Sequence, residues 1–526
     1  MSATTGTGAL IRLILRRDRI ILPLWILIVV LVPVGIAASA IGLYNTVEAL
    51  QAYANEAMST PASLALLGRV YSPTVGGVVA WRSGLQSAIL IGIPALLLVI
   101  RHTRSEEEAG RRELLGGAVL GREAPLAAAL SVVGGSCLVI GALIAAGLIA
   151  LGLPAAGSVA LGLSAASAGC FCAALGGVAA QLAESPGAAR GLALLAYCLL
   201  YVLRSPADLG GPAQLTWLSP FGWLRQTRAF AGEQWWVFAL LLGLAVGLAA
   251  AAFALSARRD LGAGLLALSV GPAAAAPTLS SPLALAWRLQ KGPLLAWTAG
   301  FAAFGVALGA VAPSIGKFVD VPQLQGWVTR MGAHDAGEAF LFMVTYILGQ
   351  IAAAFAITAA LRLRSEEVAG RADPVLATAV GRLRWAGSHL TFALLGPAAA
   401  LLALGLPVAV LYSLSLGDLG QQLPRLLART MAVLPAAWVM VGLAALLWGL
   451  VPRLADYVVW GALAVFLLLE LFWELGQVSQ AVFDLSPFAW VHWATPVSAA
   501  PLVGLTTVAA VLTAAGLAAF RRRDVG

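Results

Sequence analysis

Two stretches of this chain carry the same uncommon letters: Arg104-Ser105-Glu106-Glu107-Glu108-Ala109-Gly110-Arg111 and Arg364-Ser365-Glu366-Glu367-Val368-Ala369-Gly370-Arg371. After nine more residues each reaches a second Gly-Arg, Gly121-Arg122 and Gly381-Arg382. Ser, Glu and Arg are scarce in a sequence dominated by Ala, Leu and Gly, so the match points to two homologous halves. Two further pairs lie outward of it. Leu218-Ser219-Pro220-Phe221-Gly222-Trp223 is echoed by Leu485-Ser486-Pro487-Phe488-Ala489-Trp490, and Arg258-Arg259-Asp260 by Arg522-Arg523-Asp524. The offsets of 260, 267 and 264 residues are nearly equal, as a duplicated unit requires. The expected layout is a first half over 1–263, a Gly/Ala/Pro/Ser-rich linker over 264–282 and a second half over 283–526.

With 60% hydrophobic and 11% charged residues and a mean hydropathy of +0.92, the chain is far from the ~45–50% apolar, ~25% charged usage of soluble domains. It reads as an all-α polytopic membrane protein. The net charge of +8 does not suggest nucleic acid, because the basic residues sit in short loops between apolar runs rather than among stacking aromatics. They follow the positive-inside rule, which puts both termini in the cytoplasm of a bacterial plasma membrane. The four cysteines all fall within expected spans, and neither a disulfide framework nor a metal site is implied.

About twelve apolar runs reach the ~20 residues that cross a bilayer, six per half. Six is an even number, so the halves share one orientation and form a parallel repeat about an axis along the membrane normal. Leu10 to Arg19 has the alternation of an amphipathic helix lying on the membrane surface. The following run, Ile20 to Leu43, ends in a signal-peptidase-like Ala38-Ser39-Ala40, but it is longer than a signal h-region and is expected to be retained.

The Glu-rich loops read as docking handles on the cytoplasmic side. Ser105 could cap a helix with Glu108 answering it as a capping box, a reciprocity that Val368 removes from the second copy. Asp373-Pro374 reads as N-cap and first residue of a helix of about two turns stopped by Gly381, matched by Leu114 to Leu120 with Gly121. The plainer alternative is a pair of solvated loops whose acids balance their arginines. The Leu-Ser-Pro-Phe-x-Trp pair reads either as a headgroup-level aromatic anchor or as an outer gate.

Inside the membrane, Glu470, Trp473, Glu474 and Gln477 share one helix face. Charge at that depth is costly unless it faces a cavity or a helix interface, so Glu470, Trp473 and Glu474 are candidate substrate-path residues. Gln350, Tyr346, Gln86 and Arg82 are weaker candidates. The chain contains no phosphate-binding P-loop, HExxH or nucleophile elbow.

Taken together, the leading amphipathic helix, the Glu-rich Gly-Arg loop after the second span, the Ser-Pro-x-x-Trp-type segment before the sixth and the terminal Arg-Arg-Asp resemble ABC exporter permeases of the ABC-two (type V) class. The fused double length is similar to the polyketide-antibiotic and multidrug (tetronasin-type) exporter permeases. The resemblance implies a transport subunit that is not itself an enzyme, moving hydrophobic drugs, antibiotics or lipids. A separate homodimeric ABC ATPase, which would carry the ATP and Mg, would dock through Glu106, Glu107, Glu108, Gly110, Arg111, Leu114 and Leu115 and through Glu366, Glu367, Gly370, Arg371, Pro374 and Val375. Two rival classes remain at this point: a proton-coupled secondary transporter using Glu470 and Glu474 as its relay, and a polytopic membrane transferase, for which Glu48 and Glu56 on the first outer loop would have to supply the acids.

Overall fold

A computed structural model of the chain describes residues 3–43, 46–59, 67–111, 120–204, 208, 212–260, 262–265, 274–318, 333, 336–474 and 478–524. Among them there are helices and turns and no β-strand. The chain divides into two compact units, Met1–Gly271 and Pro272–Gly526. Among the described residues, twelve helices are long and apolar enough to cross a membrane, six in each unit.

In the first unit an amphipathic helix α1 (Thr7–Arg17) buries Leu10 and Ile14 and carries Arg16 and Arg17 in its last turn, where they suit the negative helix end. It is followed by α2 (Ile21–Leu43), α3 (Val47–Ser59), α4 (Val75–His102), α5 (Ala124–Ala150), α6 (Ala155–Leu182), α7 (Pro186–Leu203) and α8 (Trp236–Arg258). α4 and α6 are the most buried spans and form the centre of the unit. Small residues allow this. A Cβ on Gly141 would lie 2.5 Å from the Gly162 carbonyl oxygen, so α5 and α6 touch backbone to backbone, the close approach that lets membrane helices gain from dispersion where lipid removes the hydrophobic drive.

The second unit runs α9 (Pro282–Phe318), α10 (Ala336–Ala360), α11 (Arg382–Leu416), α12 (Leu419–Met431), α13 (Leu434–Leu450), α14 (Ala455–Glu474) and α15 (Ala499–Arg522). Here α13 and α15 make the close crossing: a Cβ on Gly449 would meet the Gly516 carbonyl oxygen at 2.3 Å. The leading segment differs between the units. The first breaks between α1 and α2 at Asp18, whereas α9 is one 37-residue helix running through Pro293 and Pro313.

The apolar runs alone put the second span at Trp81–Ile100 and the fifth at about Gly191–Leu203, and both helices start earlier. α4 begins six residues before Trp81, with Thr74 accepting a hydrogen bond from the Gly77 N–H. α7 begins at Pro186, with Ser185 accepting from Ala188 N–H at 3.2 Å. Both extensions come from cap residues that hydropathy does not weigh.

Candidate functional site

The capping box does not form. The short helix Arg104–Glu108 has Thr103 at its N-cap without a side-chain cap bond, and the Ser105 hydroxyl instead accepts from Arg190 Nη2 at 3.1 Å. In the second unit the corresponding helix is Arg362–Val368, so Ser365 lies inside it. Asp373 is likewise not an N-cap: the following helix, Ala372–Leu376, starts one residue earlier and makes a little over one turn rather than two. Its counterpart, with Leu114 and Leu115, lies outside the described residues.

The glutamates divide by role. Glu106 accepts from Arg111 Nε at 2.7 Å and also pairs with Arg17 at the end of α1; this carboxylate holds the exposed Arg111 guanidinium above its usual pKa. Glu366 repeats the arrangement with Arg371 Nε at 2.8 Å and Arg362 Nε at 2.7 Å. Each loop then turns at a left-handed glycine, Gly110 with φ 67° and Gly370 with φ 65°, a conformation that costs other L-residues ~1 kcal/mol or more.

Glu107 and Glu367, expected on a docking surface, are turned inward. The Glu107 side chain is 6% exposed and accepts from Arg259 Nη2 at 2.7 Å, Arg104 Nη1 at 3.1 Å and Gly262 N–H at 2.7 Å. Glu367 accepts from Arg523 Nη2 and from the Trp448 indole N–H, both at 2.8 Å. Arg259 and Arg523 are the middle residues of the two Arg-Arg-Asp triplets. Their carbonyls accept in turn from the repeated Gly-Arg arginines, Arg122 onto Arg259 and Arg382 onto Arg523. The Glu-rich strings, the second Gly-Arg pairs and the Arg-Arg-Asp triplets thus meet in one clasp per unit, which ties the loop after the second span to the end of the sixth. Sequence reasoning noticed each string and missed that they touch; their shared offset was the available signal.

What remains facing outward is a smaller surface. In the first unit Glu108, Ala109 and Arg111 are exposed; in the second Val368, Ala369, Gly370, Arg371, Asp373 and Pro374 are, with Val375 half-buried. Val368 is 75% exposed, an apolar side chain where the first unit has a carboxylate.

The substrate-path candidates separate into two places. Glu470 on α14 is buried and accepts from the Tyr346 hydroxyl at 3.0 Å and from Gln350, both on α10. His492 Nε2 lies 3.8 Å from its other oxygen. Burial and the Arg429 guanidinium push the His492 imidazole down to about 4, so the ring is neutral at ordinary pH. Trp473 stacks on Phe483 at 4.7 Å and meets His492 edge-on at 5.1 Å. This cluster packs α10, α14 and the Leu485–Trp490 segment together, since Tyr346 also donates to the Phe488 carbonyl at 3.3 Å. The side chain of Glu474 lies outside the described residues. Gln86 and Arg82 are elsewhere, exposed on α4, where Arg82 edges a groove of about 360 Å³ along Val32, Gly35, Ile36, Ser39 and Ala40 of α2.

The Leu-Ser-Pro-Phe-x-Trp segments share a local design. In each, the serine hydroxyl accepts from the phenylalanine N–H two residues on, at 3.2 and 3.3 Å, and the tryptophan indole donates to the carbonyl six residues back, Trp223 to Trp217 and Trp490 to Asp484. Phe221 and Phe488 are fully buried. Each segment is an inward-plugged cap rather than a free interfacial loop.

Both clasps and both caps fall within reach of a full-length relative. The multidrug efflux system permease protein Rv1217c of Mycobacterium tuberculosis (strain ATCC 25618 / H37Rv) is 42% identical over 530 residues, covering 100% of this chain and 96% of that one. This chain belongs to the same family of permeases. A family model described as the C-terminal domain of multidrug efflux system permease Rv1217c matches residues 279–521, a range that includes Glu367 of the second clasp and the Glu470 cluster. The permease family and the twelve apolar helices together make this a multi-pass membrane protein.

Proposed function

We propose that the chain is the membrane-spanning subunit of an ATP-driven exporter of hydrophobic drugs, antibiotics or lipids, of the ABC-two (type V) class and similar in kind to the tetronasin-type permeases. In this reading it takes its energy from a separate ATPase, bound in two copies. The relative's description as a multidrug efflux permease supports the transport role. The observation that carries the coupling reading is the clasp in each unit. A force applied at the exposed Glu108–Arg111 or Val368–Pro374 would pass through Glu107–Arg259 or Glu367–Arg523 directly into the last span.

Docking falls on Glu108, Gly110, Arg111, Gly370, Arg371, Pro374 and the apolar Val368, while Glu107 and Glu367 transmit rather than touch the partner. A cytoplasmic ATPase requires both termini on that side as well, in keeping with the arginine-rich loops. The test is co-purification of the tagged chain with a candidate ATPase expressed alongside it, together with ATP-dependent efflux from cells. Absence of any retained ATPase, with efflux that persists without ATP and collapses with the proton gradient, would sink this reading.

A further inference from the structure

At the end of α4 remote from the first clasp, the segment Pro220–Gly232 folds over a small polar cavity of about 40 Å³, room for one or two water-sized particles. The walls are unusual for their charge. Arg69, Arg225 and Arg228 line it together with the hydroxyl groups of Ser72, Ser164 and Thr227, and no Asp or Glu does among the described residues. Arg225 is 9% exposed. Its Nη2 donates to the Arg69 carbonyl and its guanidinium carbon lies 5.4 Å from the Tyr71 ring centroid, but its Nε has no hydrogen-bond partner. Arg228 crowds the same ring at 5.2 Å. The acids nearby are engaged elsewhere: Asp208 by Arg204 Nη1 at 2.5 Å, and Glu233 by the Phe230 N–H at 3.2 Å.

Two further features show a built site rather than a packing gap. The backbone around it is held in a costly shape, since Arg228 and Phe230 both sit at positive φ, 51° and 62°, a conformation that persists only where surroundings impose it. Gly68, at φ 77°, lies against the open Nε: a Cβ there would be 2.7 Å from that nitrogen. A side chain at position 68 would therefore press on the guanidinium, and the glycine's carbonyl is pinned by the Trp81 indole at 2.7 Å. The second unit solves the matching position differently. Counted from Leu-Ser-Pro-Phe, His492 stands where Arg225 does, and it faces its own carboxylate, Glu470. A buried guanidinium lacking such a partner carries a large desolvation cost unless a counter-charge is supplied.

We propose that this cavity binds one small monovalent anion, chloride in the cell, held by Arg225 Nε with Arg228, and that the ion locks the cap of the first unit onto α4 and α6. A cavity of about 40 Å³ matches a monatomic anion.

Equilibrium dialysis of the purified full-length wild-type protein against radioactive chloride should give about one saturable site per chain. No saturable binding, with water alone filling the cavity, overturns the proposal. In parallel, the melting temperature should rise saturably when gluconate is exchanged for chloride or bromide at constant ionic strength, and R225Q should lose that halide response while still binding its ATPase. A halide response unchanged in R225Q also overturns it, as does a wild type that melts identically in chloride and gluconate.

Discussion

Glu367 and Arg523 are 156 residues apart in the chain, yet their side chains meet at 2.8 Å, with the guanidinium also lying over the Trp448 and Phe520 rings at 5.7 and 5.6 Å. An ion pair that is also packed against aromatic faces holds its geometry better than a free surface pair. R523Q should therefore destabilise the second unit by about 1–3 kcal/mol. R259Q, whose native side chain is 5% exposed and binds the 6% exposed Glu107, should cost more, about 3–5 kcal/mol. A double-mutant cycle of R523Q with E367Q, read by thermal unfolding in detergent, should show a coupling energy near the single-mutant loss; additivity of the two substitutions would refute the clasp.

If the chain works with an ATPase as proposed, docking and clasp are separable by mutation. V368E and E108K change exposed side chains, so each should leave the melting temperature within a degree or two while lowering ATPase retention roughly tenfold, the effect of ~1.4 kcal/mol. E107A and E367A should instead lower stability first. Equal ATPase retention by wild type and a V368E/E108K double variant would show that the partner docks elsewhere.

The neutral His492 gives a pH signature. Its folded pKa, about 4, lies below the ordinary value near 6.5, so the unfolded chain takes up the proton first. Its contribution to stability is complete above pH ~6.5 and is lost as pH falls toward 4, by on the order of 2–3 kcal/mol. The wild-type minus H492N difference in melting temperature should shrink across that window; a flat difference would mean the ring is not held neutral.

Helix contact through glycine predicts a sharp contrast within one helix. Gly141 meets the Gly162 backbone, whereas a Cβ added at Gly134, two turns earlier on α5, would have nothing within 4 Å. G141L should force α5 from α6 and abolish stable expression, while G134A should be neutral or stabilising by a few tenths of a kcal/mol. Comparable yields of folded protein from both would contradict the packing.

The twelve spans were legible because bilayer crossing is a length-and-hydropathy property that each segment carries by itself. The repeated strings were legible for their scarce letters. Their meaning was not, because the partnership of Glu107 with Arg259 depends on where α8 ends relative to α4, which no local pattern encodes. The capping box failed for a related reason: Arg190 takes the Ser105 hydroxyl, and it arrives from another helix. Tyr346, Gln350 and Glu470 stand out one by one as polar residues within apolar runs, and the fold joins all three. Arg225 gave no warning at all, since an arginine in a segment between spans looks the same whether it meets water or lines a cavity.

Phe230 has a consequence for how such a sequence can drift. Its ring occupies the space that a side chain at Gly76 or Gly157 would need, with separations of 2.4 and 2.2 Å from the hypothetical Cβ atoms. One bulky group and two absent ones therefore form a three-way lock between segments far apart in the chain. Among relatives, anything larger than glycine at 76 or 157 should be found only where position 230 has become small, and an alignment in which these three positions vary independently would count against the cap as drawn.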